Sequence, residues 1–150
     1  MAAPSALTFF NSFREYLADG TFDLNTNSFK ASLHTSTFVP DLNADAVYAD
    51  INGELATANG YTSGGISLAN VVWTRSGASV KFDADDVNIV ASGAGLTFRY
   101  VVVRAVGTLN GRVDPLVGYL LLDSAPADVN IAAGNTGVIE WNAAGIFTLT

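Results

Sequence analysis

"FRYVVVRAV", residues 98–106, is the stretch on which the fold turns, with "LVGYLLLD", residues 116–123, as its counterpart. Both are apolar on the odd and the even positions. A strand with one wet face alternates; a strand covered on both faces does not. These two segments are therefore read as central strands. Around them the chain from Gly60 onward keeps the same character: Ile66–Arg75, Ser79–Phe82, Val87–Val90, Thr97–Val106, Leu116–Leu122, Val138–Trp141 and Ile146–Leu149 are rich in Val, Ile, Leu and aromatic residues. Gly, Asn, Asp or Pro separates them at intervals of roughly eight to twelve residues, the cadence of a sandwich or barrel and not of βαβ units. The expectation is a mainly β fold, an antiparallel β-sandwich of jelly-roll or Ig-like type.

Upstream the text changes. Ser5 to Ala18 carries Phe9, Phe10, Phe13, Tyr16 and Leu17 at spacings of three and four, which predicts one N-terminal α-helix over about 5–18, ended by Asp19-Gly20. "SFKASLHTSTF" (28–38) then alternates, with Phe29, Ala31 and Leu33 on one face and Lys30, Ser32 and His34 on the other. That pattern predicts a half-buried strand with His34 at a surface or an interface. Residues 40–60 form a long polar loop excursion, with one short helical turn expected around Asp45 to Tyr48; it holds too few apolar residues to be needed by the sandwich, and long excursions often carry binding. No repeat or linker divides the chain, so residues 1–150 are read as one domain.

Composition narrows the function. Apolar residues make up 49% of the 150 residues and charged residues 14%, with a mean hydropathy of +0.31. So few charges cannot wet a whole monomer surface, and subunit association, as a homo-oligomer with a trimer among the options, is the first expectation. The net charge is −7, and the seven Lys and Arg residues are scattered. Phosphate neutralisation requires clustered cations, so nucleic acid is not an expected partner, and neither is an anionic membrane surface. No segment reaches the ~20 apolar residues of a membrane span. "MAAPSALTFFNSFREYL" lacks the basic start and long apolar core of a signal peptide.

The chain contains no cysteine and one histidine, His34, through which any hydrolytic triad would have to pass; no GxSxG elbow supplies a serine. "GAG" (93–95) precedes a strand where a dinucleotide fingerprint would precede a helix. "FDADDVNIV" (82–90) places Asp83, Asp85 and Asp86 within four positions, but neither the glycine nor the twelfth-position glutamate of a calcium loop follows. "DLNTNS" (23–28) has the alternating oxygens and fails at the same two places. Aspartates of this kind are read as turn residues bonding nearby backbone N–H groups. The reading is of a chain that is not an enzyme and has no metal, catalytic or cofactor site.

Several segments, in order, resemble a widespread family of small structural proteins of tailed bacteriophages: "NSFREYLADGTFDLNTNSFKASLHTSTFVPD", "GYTSGGISLANVVWTR", "VKFDADDVNIV", "LTFRYVVV", "PLVGYLLLD" and the terminal "GIFTLT". The resemblance covers nearly the whole chain. It implies a virion component, foremost a capsid decoration (cement) protein on the major capsid protein shell, made in the bacterial host cytoplasm and located on the capsid surface. The alternatives are a minor tail or baseplate protein, and a carbohydrate-binding β-sandwich module using Trp73, Trp141, Tyr48 or Tyr61. The resemblance transfers no active-site residue. Candidate partner-binding residues come from the aromatic stripe and the excursion: Phe9, Phe10, Phe13, Tyr16, Val47 and Tyr48.

Overall fold

The computed structural model describes residues 5–150. Strand β1 (Thr8–Phe9) leads into helix α1 (Asn11–Ala18), then β2 (Phe29–His34) and a 3₁₀ turn at Tyr48–Asp50. There follow β3 (Ile66–Ser67), β4 (Val72–Ser76), β5 (Ser79–Asp83), β6 (Val87–Val90), β7 (Leu96–Phe98), β8 (Tyr100–Ala105), β9 (Thr108–Leu109) and β10 (Arg112–Val113). The chain closes with β11 (Leu116–Leu121), β12 (Val129–Ile131), β13 (Thr136–Ile139) and β14 (Phe147–Leu149). The protein is mainly β, antiparallel throughout its paired strands, with a single short N-terminal helix: a β-sandwich.

One layer is a five-stranded sheet in the order β1-β11-β8-β2-β3. The two stretches read as central strands lie second and third in it. β2 pairs with β8 so that Phe29, Ala31 and Leu33 stand opposite Ala105, Val103 and Val101. These six point inward and are all buried. The facing layer is built from smaller pieces: β14-β5-β4, and two ribbons, β13-β6 and β12-β7. Phe82 and Phe147 from this layer meet Phe29 and Phe9 from the sheet at centroid distances of 4.9 Å each, edge to face. Aromatic contacts of that geometry stabilise beyond their area burial.

The helix is shorter than its aromatic stripe suggests. Thr8–Phe9 adds an edge strand beside Gly118 and Tyr119 of β11, and Phe10 N–H bonds Val117 C=O at 3.3 Å. Extended backbone sends Phe9 and Phe10 to opposite sides of the sheet, Phe9 against the main core and Phe10 into a second cluster, which a helix could not do. Helix formation begins only at Asn11. It ends where expected: Asp19 N–H bonds Glu15 C=O, and Gly20 takes the left-handed φ of +78°.

The polar excursion is also corrected. Phe38, Leu42, Tyr48 and Ile51 fold over the outer face of the sheet and pack with Phe10, Val102, Leu116, Tyr100 and Tyr119. Residues 35–65 are thus a cover that the sheet needs, since they supply a second apolar cluster. For the same reason β2 is buried on both faces, not half-buried. Gly65, at φ +87°, lets the end of the cover lie against β2; a Cβ there would stand 2.8 Å from the Ala31 carbonyl oxygen.

Candidate functional site

The three aspartates of "FDADD" do not converge. Asp83 accepts from Lys81 Nζ at 2.8 Å, Asp85 from Asn70 Nδ2 at 2.6 Å, and Asp86 from the Trp141 backbone N–H at 2.9 Å. The Trp141 indole N–H donates to the Asp85 carbonyl, also at 2.9 Å. The segment is a turn that pins Trp141 to the β5–β6 connection. In "DLNTNS", Asp23 accepts from Asn25 N–H, and Asn27 Oδ1 accepts from Asp23 N–H, a local turn of the same type. Among the described residues no group of three or more acidic, His or Cys side chains is arranged to hold a metal.

The sandwich is open along one side, and that opening is the first candidate site. β1 and β14 are end strands of their respective layers. A groove of about 580 Å³ lies between them, walled by Leu7, Phe9 and Leu120 from one layer and Trp141, Ile146 and Phe147 from the other. Unpaired strand edges present alternate N–H and C=O groups outward. Here two such edges flank a predominantly apolar cleft. The chemistry offered is backbone hydrogen bonding together with apolar burial.

The second site was misread from sequence. His34 is not a surface residue; it is fully buried on the outer face of the sheet beneath the cover. Its Nδ1 lies 2.7 Å from the Asn52 carbonyl oxygen, which can only accept, so Nδ1 carries the proton of the neutral ring. Nε2 then accepts from the Ser32 hydroxyl at 2.9 Å. Burial pushes the imidazole pKa below its ordinary 6.5; the Asn52 carbonyl and the Glu54 charge oppose that shift without cancelling it.

Glu54 organises the other half of this cluster. Its carboxylate accepts from the Tyr48 and Tyr61 hydroxyls, from Ser63 Oγ at 3.0 Å and from Gly64 N–H at 2.8 Å. Burial by itself would raise the carboxyl pKa, but these four donors outweigh it and hold the group below its usual 4.5. Tyr48 and Tyr61 are both pushed well above the ordinary phenol value, by burial and by the adjoining carboxylate. The Tyr61 oxygen in turn accepts the Leu33 N–H at 3.1 Å, joining Glu54 to β2.

Arg104 completes the cluster from β8. Its guanidinium lies 4.0 Å from the Tyr48 ring centroid, donates to Gly64 C=O at 2.7 Å, and places Nη1 3.1 Å from Asp114 Oδ2. That last contact is an ion pair bent away from hydrogen-bond geometry, and Nε has no acceptor among the described residues. The Leu33–Tyr61, His34–Asn52 and Arg104–Gly64 bonds, with Arg104 against the Tyr48 ring, join the sheet to residues 48–64. A Ser–His pair sealed in this way holds structure together and offers no nucleophile to solvent.

The six candidate partner-binding residues divide accordingly. Phe10 and Phe13 are 0% and 1% exposed and serve as internal packing, so neither is accessible as an interface anchor in this conformation. Phe13 is buried from the helix in the main core, and Phe10 from extended backbone in the second cluster. Phe9 and Tyr16 are half-buried; Phe9 lines the open groove, and Tyr16 lies under Arg112, whose guanidinium is 3.9 Å from its ring centroid. Val47 and Tyr48 are half-buried in the cover, with Val47 bridged to Pro115. Sequence reasoning missed Leu7, Ile146 and Phe147 as groove residues, and named Trp141 only under the carbohydrate-binding alternative, because nothing local says that β1 and β14 are the end strands.

No family model, curated protein or solved structure matches the chain.

Proposed function

We propose that the chain is a structural protein of a bacteriophage virion, a capsid decoration subunit that binds and stabilises the major capsid protein shell. One structural observation carries the reading: both layers of the sandwich end at the same apolar groove, leaving two strand edges and a hydrophobic cleft on one side of the subunit. An extended segment of a neighbouring capsid subunit satisfies both demands at once, bonding an edge through its backbone and burying apolar side chains in the cleft. The ordered sequence resemblance from Asn11 to Thr150 supports the same assignment.

The energetics suit a lattice. A protein that binds the assembled shell and not its free subunits adds its binding free energy to the assembled state. Modest individual contacts, repeated over several capsid subunits, gain through effective concentration. With a net charge of −7 and few cations, attachment relies on apolar and backbone contacts and tolerates moderate salt.

The test is sedimentation of the purified chain with assembled, undecorated capsid shells across a salt series. Expected is saturable binding that changes little with moderate salt, weakened by Phe9→Glu or Ile146→Glu in the groove. Binding to isolated tails and not to heads would assign the chain to the tail or baseplate instead. Steep salt release with both groove variants still bound would refute the groove as the attachment surface.

A further inference from the structure

The buried histidine has a consequence independent of any partner. His34 stands on β2, in the wall of the sheet, while the atom that receives its Nδ1 proton belongs to the cover. The cover is tied down on both sides of it: Thr35 N–H bonds Gly53 C=O at 2.8 Å, and Leu55 N–H bonds Leu33 C=O at 2.9 Å. Beneath lie Phe10, Val102 and Leu116, with Tyr100 and Tyr119 beside them. We propose that residues 35–65 are an acid-released cover, in which uptake of a proton by His34 loosens the cover and bares the apolar outer face of the sheet.

The geometry supplies the mechanism. In the neutral ring both nitrogens are satisfied, one donating to Asn52 and the other accepting from Ser32. A proton arriving at Nε2 reverses the Ser32 contact. Nε2–H then donates to the Ser32 oxygen, and the Ser32 hydroxyl must turn its own hydrogen toward the Val102 carbonyl, 3.4 Å away, a long contact. The resulting imidazolium is charged, and it has no ion-pair partner among the described residues.

The surrounding charges do not remedy this. Lys30 and Ser32 share the face on β2, and β8 contributes Tyr100 directly across from His34 and Arg104 two rungs beyond Val102. β11 contributes Tyr119, and the cover contributes the Phe38 ring, at a centroid distance of 5.0 Å, with Tyr48 and Glu54. Glu54 is the one facing carboxylate, and four donors from Tyr48, Tyr61, Ser63 and Gly64 already occupy it. Asp114 is paired with Arg104. The closed form offers the imidazolium two neutral acceptors, Asn52 C=O and Ser32 Oγ, and no counter-charge; opening the cover adds the hydration that a buried charge lacks.

The sign follows from linkage. Because the closed form holds His34 below 6.5, an opened form takes up the proton first as pH falls. Closure is fully favoured above about 6.5 and weakens as pH drops below it, until the ring titrates in the closed form as well.

His34 is the only histidine, so its ring C–H resonances report its titration without ambiguity. The experiment follows them together with amide hydrogen exchange from about pH 7.5 to about pH 5, in the range where histidine switches charge, with exchange corrected for its intrinsic pH dependence. Expected is a ring midpoint below 6.5. Protection across residues 36–60 should fall between about pH 6.5 and that midpoint, by up to about tenfold per pH unit, and level off below it, while β8 and β11 keep theirs. His34→Gln keeps one donor and one acceptor, and should flatten the dependence. The proposal is overturned if protection in the cover stays constant between about pH 6.5 and the ring midpoint, or if β8 and β11 lose protection equally. It also fails if His34→Gln retains the full pH response. Should that variant not fold, the wild-type chain alone decides between these outcomes.

Discussion

The two faces of the five-stranded sheet solve the same problem with different chemistry. Inward, Phe29, Ala31, Leu33, Val101, Val103 and Ala105 meet aromatics of the facing layer with no polar side chain among them. Outward, the same strands present Lys30, Ser32, His34, Val102 and Arg104, and a loop-like cover supplies Phe38, Tyr48, Ile51 and Glu54 to meet them. Apolar burial is non-directional and tolerates small adjustments. A buried polar network demands that every donor find its acceptor, and one lost member leaves others unsatisfied. The inner face therefore sets global stability, whereas the outer face sets whether one particular segment stays in place.

Breaking the inner face should have the largest effect. Phe82 is fully buried, 4.9 Å from Phe29 and 5.0 Å from Phe147 by ring centroids. Phe82→Ala is expected to cost about 3–5 kcal/mol of unfolding free energy through lost burial and the cavity left behind. Denaturant titration should show a lower midpoint with one cooperative transition, because the cluster joins both layers.

Glu54→Gln tests the outer face. One carboxylate oxygen becomes an amide nitrogen, which cannot accept from a tyrosine, a serine or the Gly64 N–H. The expected cost is about 1–3 kcal/mol, the range for a buried hydrogen-bonding group left unpaired. Unlike Phe82→Ala, the loss should be local: amide exchange rises in residues 35–65 first and in β8 and β11 least.

Acid titration of global stability separates the faces without mutation. His34 and Glu54 are both held below their ordinary values, so each makes the folded state bind fewer protons than the unfolded one at acid pH. Stability should begin to fall as pH drops below about 6.5 and fall further below about 4.5. Asp45 acts in the opposite sense. Its carboxyl is raised above 3.8, by burial first and by the charges of Asp41 and Asp50, so its contribution is present at low pH and lost as pH rises. In thermal melts at several pH values, Glu54→Gln should reduce the lower part of the fall and leave the part near 6.5. Asp19 and Asp23, also held below the ordinary value by hydrogen bonds, contribute to that lower part.

The inner face was legible in the sequence and the outer face was not, for a physical reason. Alternation in 28–38 and unbroken apolarity in 98–106 and 116–123 state how many faces of each strand want cover. They do not state what covers them. Lys30, Ser32 and His34 read as a wet face because the His34 acceptor, Asn52, and the side chains that cover this face, Phe38, Tyr48 and Ile51, lie in a segment with no periodicity. Breaks within long apolar runs were likewise hidden: Asn70, at φ 50°, separates β3 from β4, and Arg99 separates β7 from β8. The β9–β10 hairpin did have a signal, Asn110-Gly111 at its turn, both with positive φ. β12 is three residues long and had none.

The smallest effect is expected from the most conspicuous acidic segment, and it sharpens the contrast between a network and a set of separate contacts. Asp83, Asp85 and Asp86 are adjacent in sequence, but they serve Lys81, Asn70 and the Trp141 backbone. Lys81 and Asp83 keep 38% and 23% of their side-chain surface exposed, so their ion pair is worth about 0–1 kcal/mol and is screened by salt. Asp83→Asn should shift the denaturation midpoint correspondingly little, with no change confined to residues 35–65. Calcium should not raise the melting temperature, since binding would have to draw the three carboxylates off three separate partners to form one shell of the six to eight oxygens that calcium takes. A rise of many degrees with calcium, reversed by chelator, would mean that these side chains gather as a unit after all. Three independent contacts, unlike the four donors gathered on Glu54, can each be lost without exposing the others.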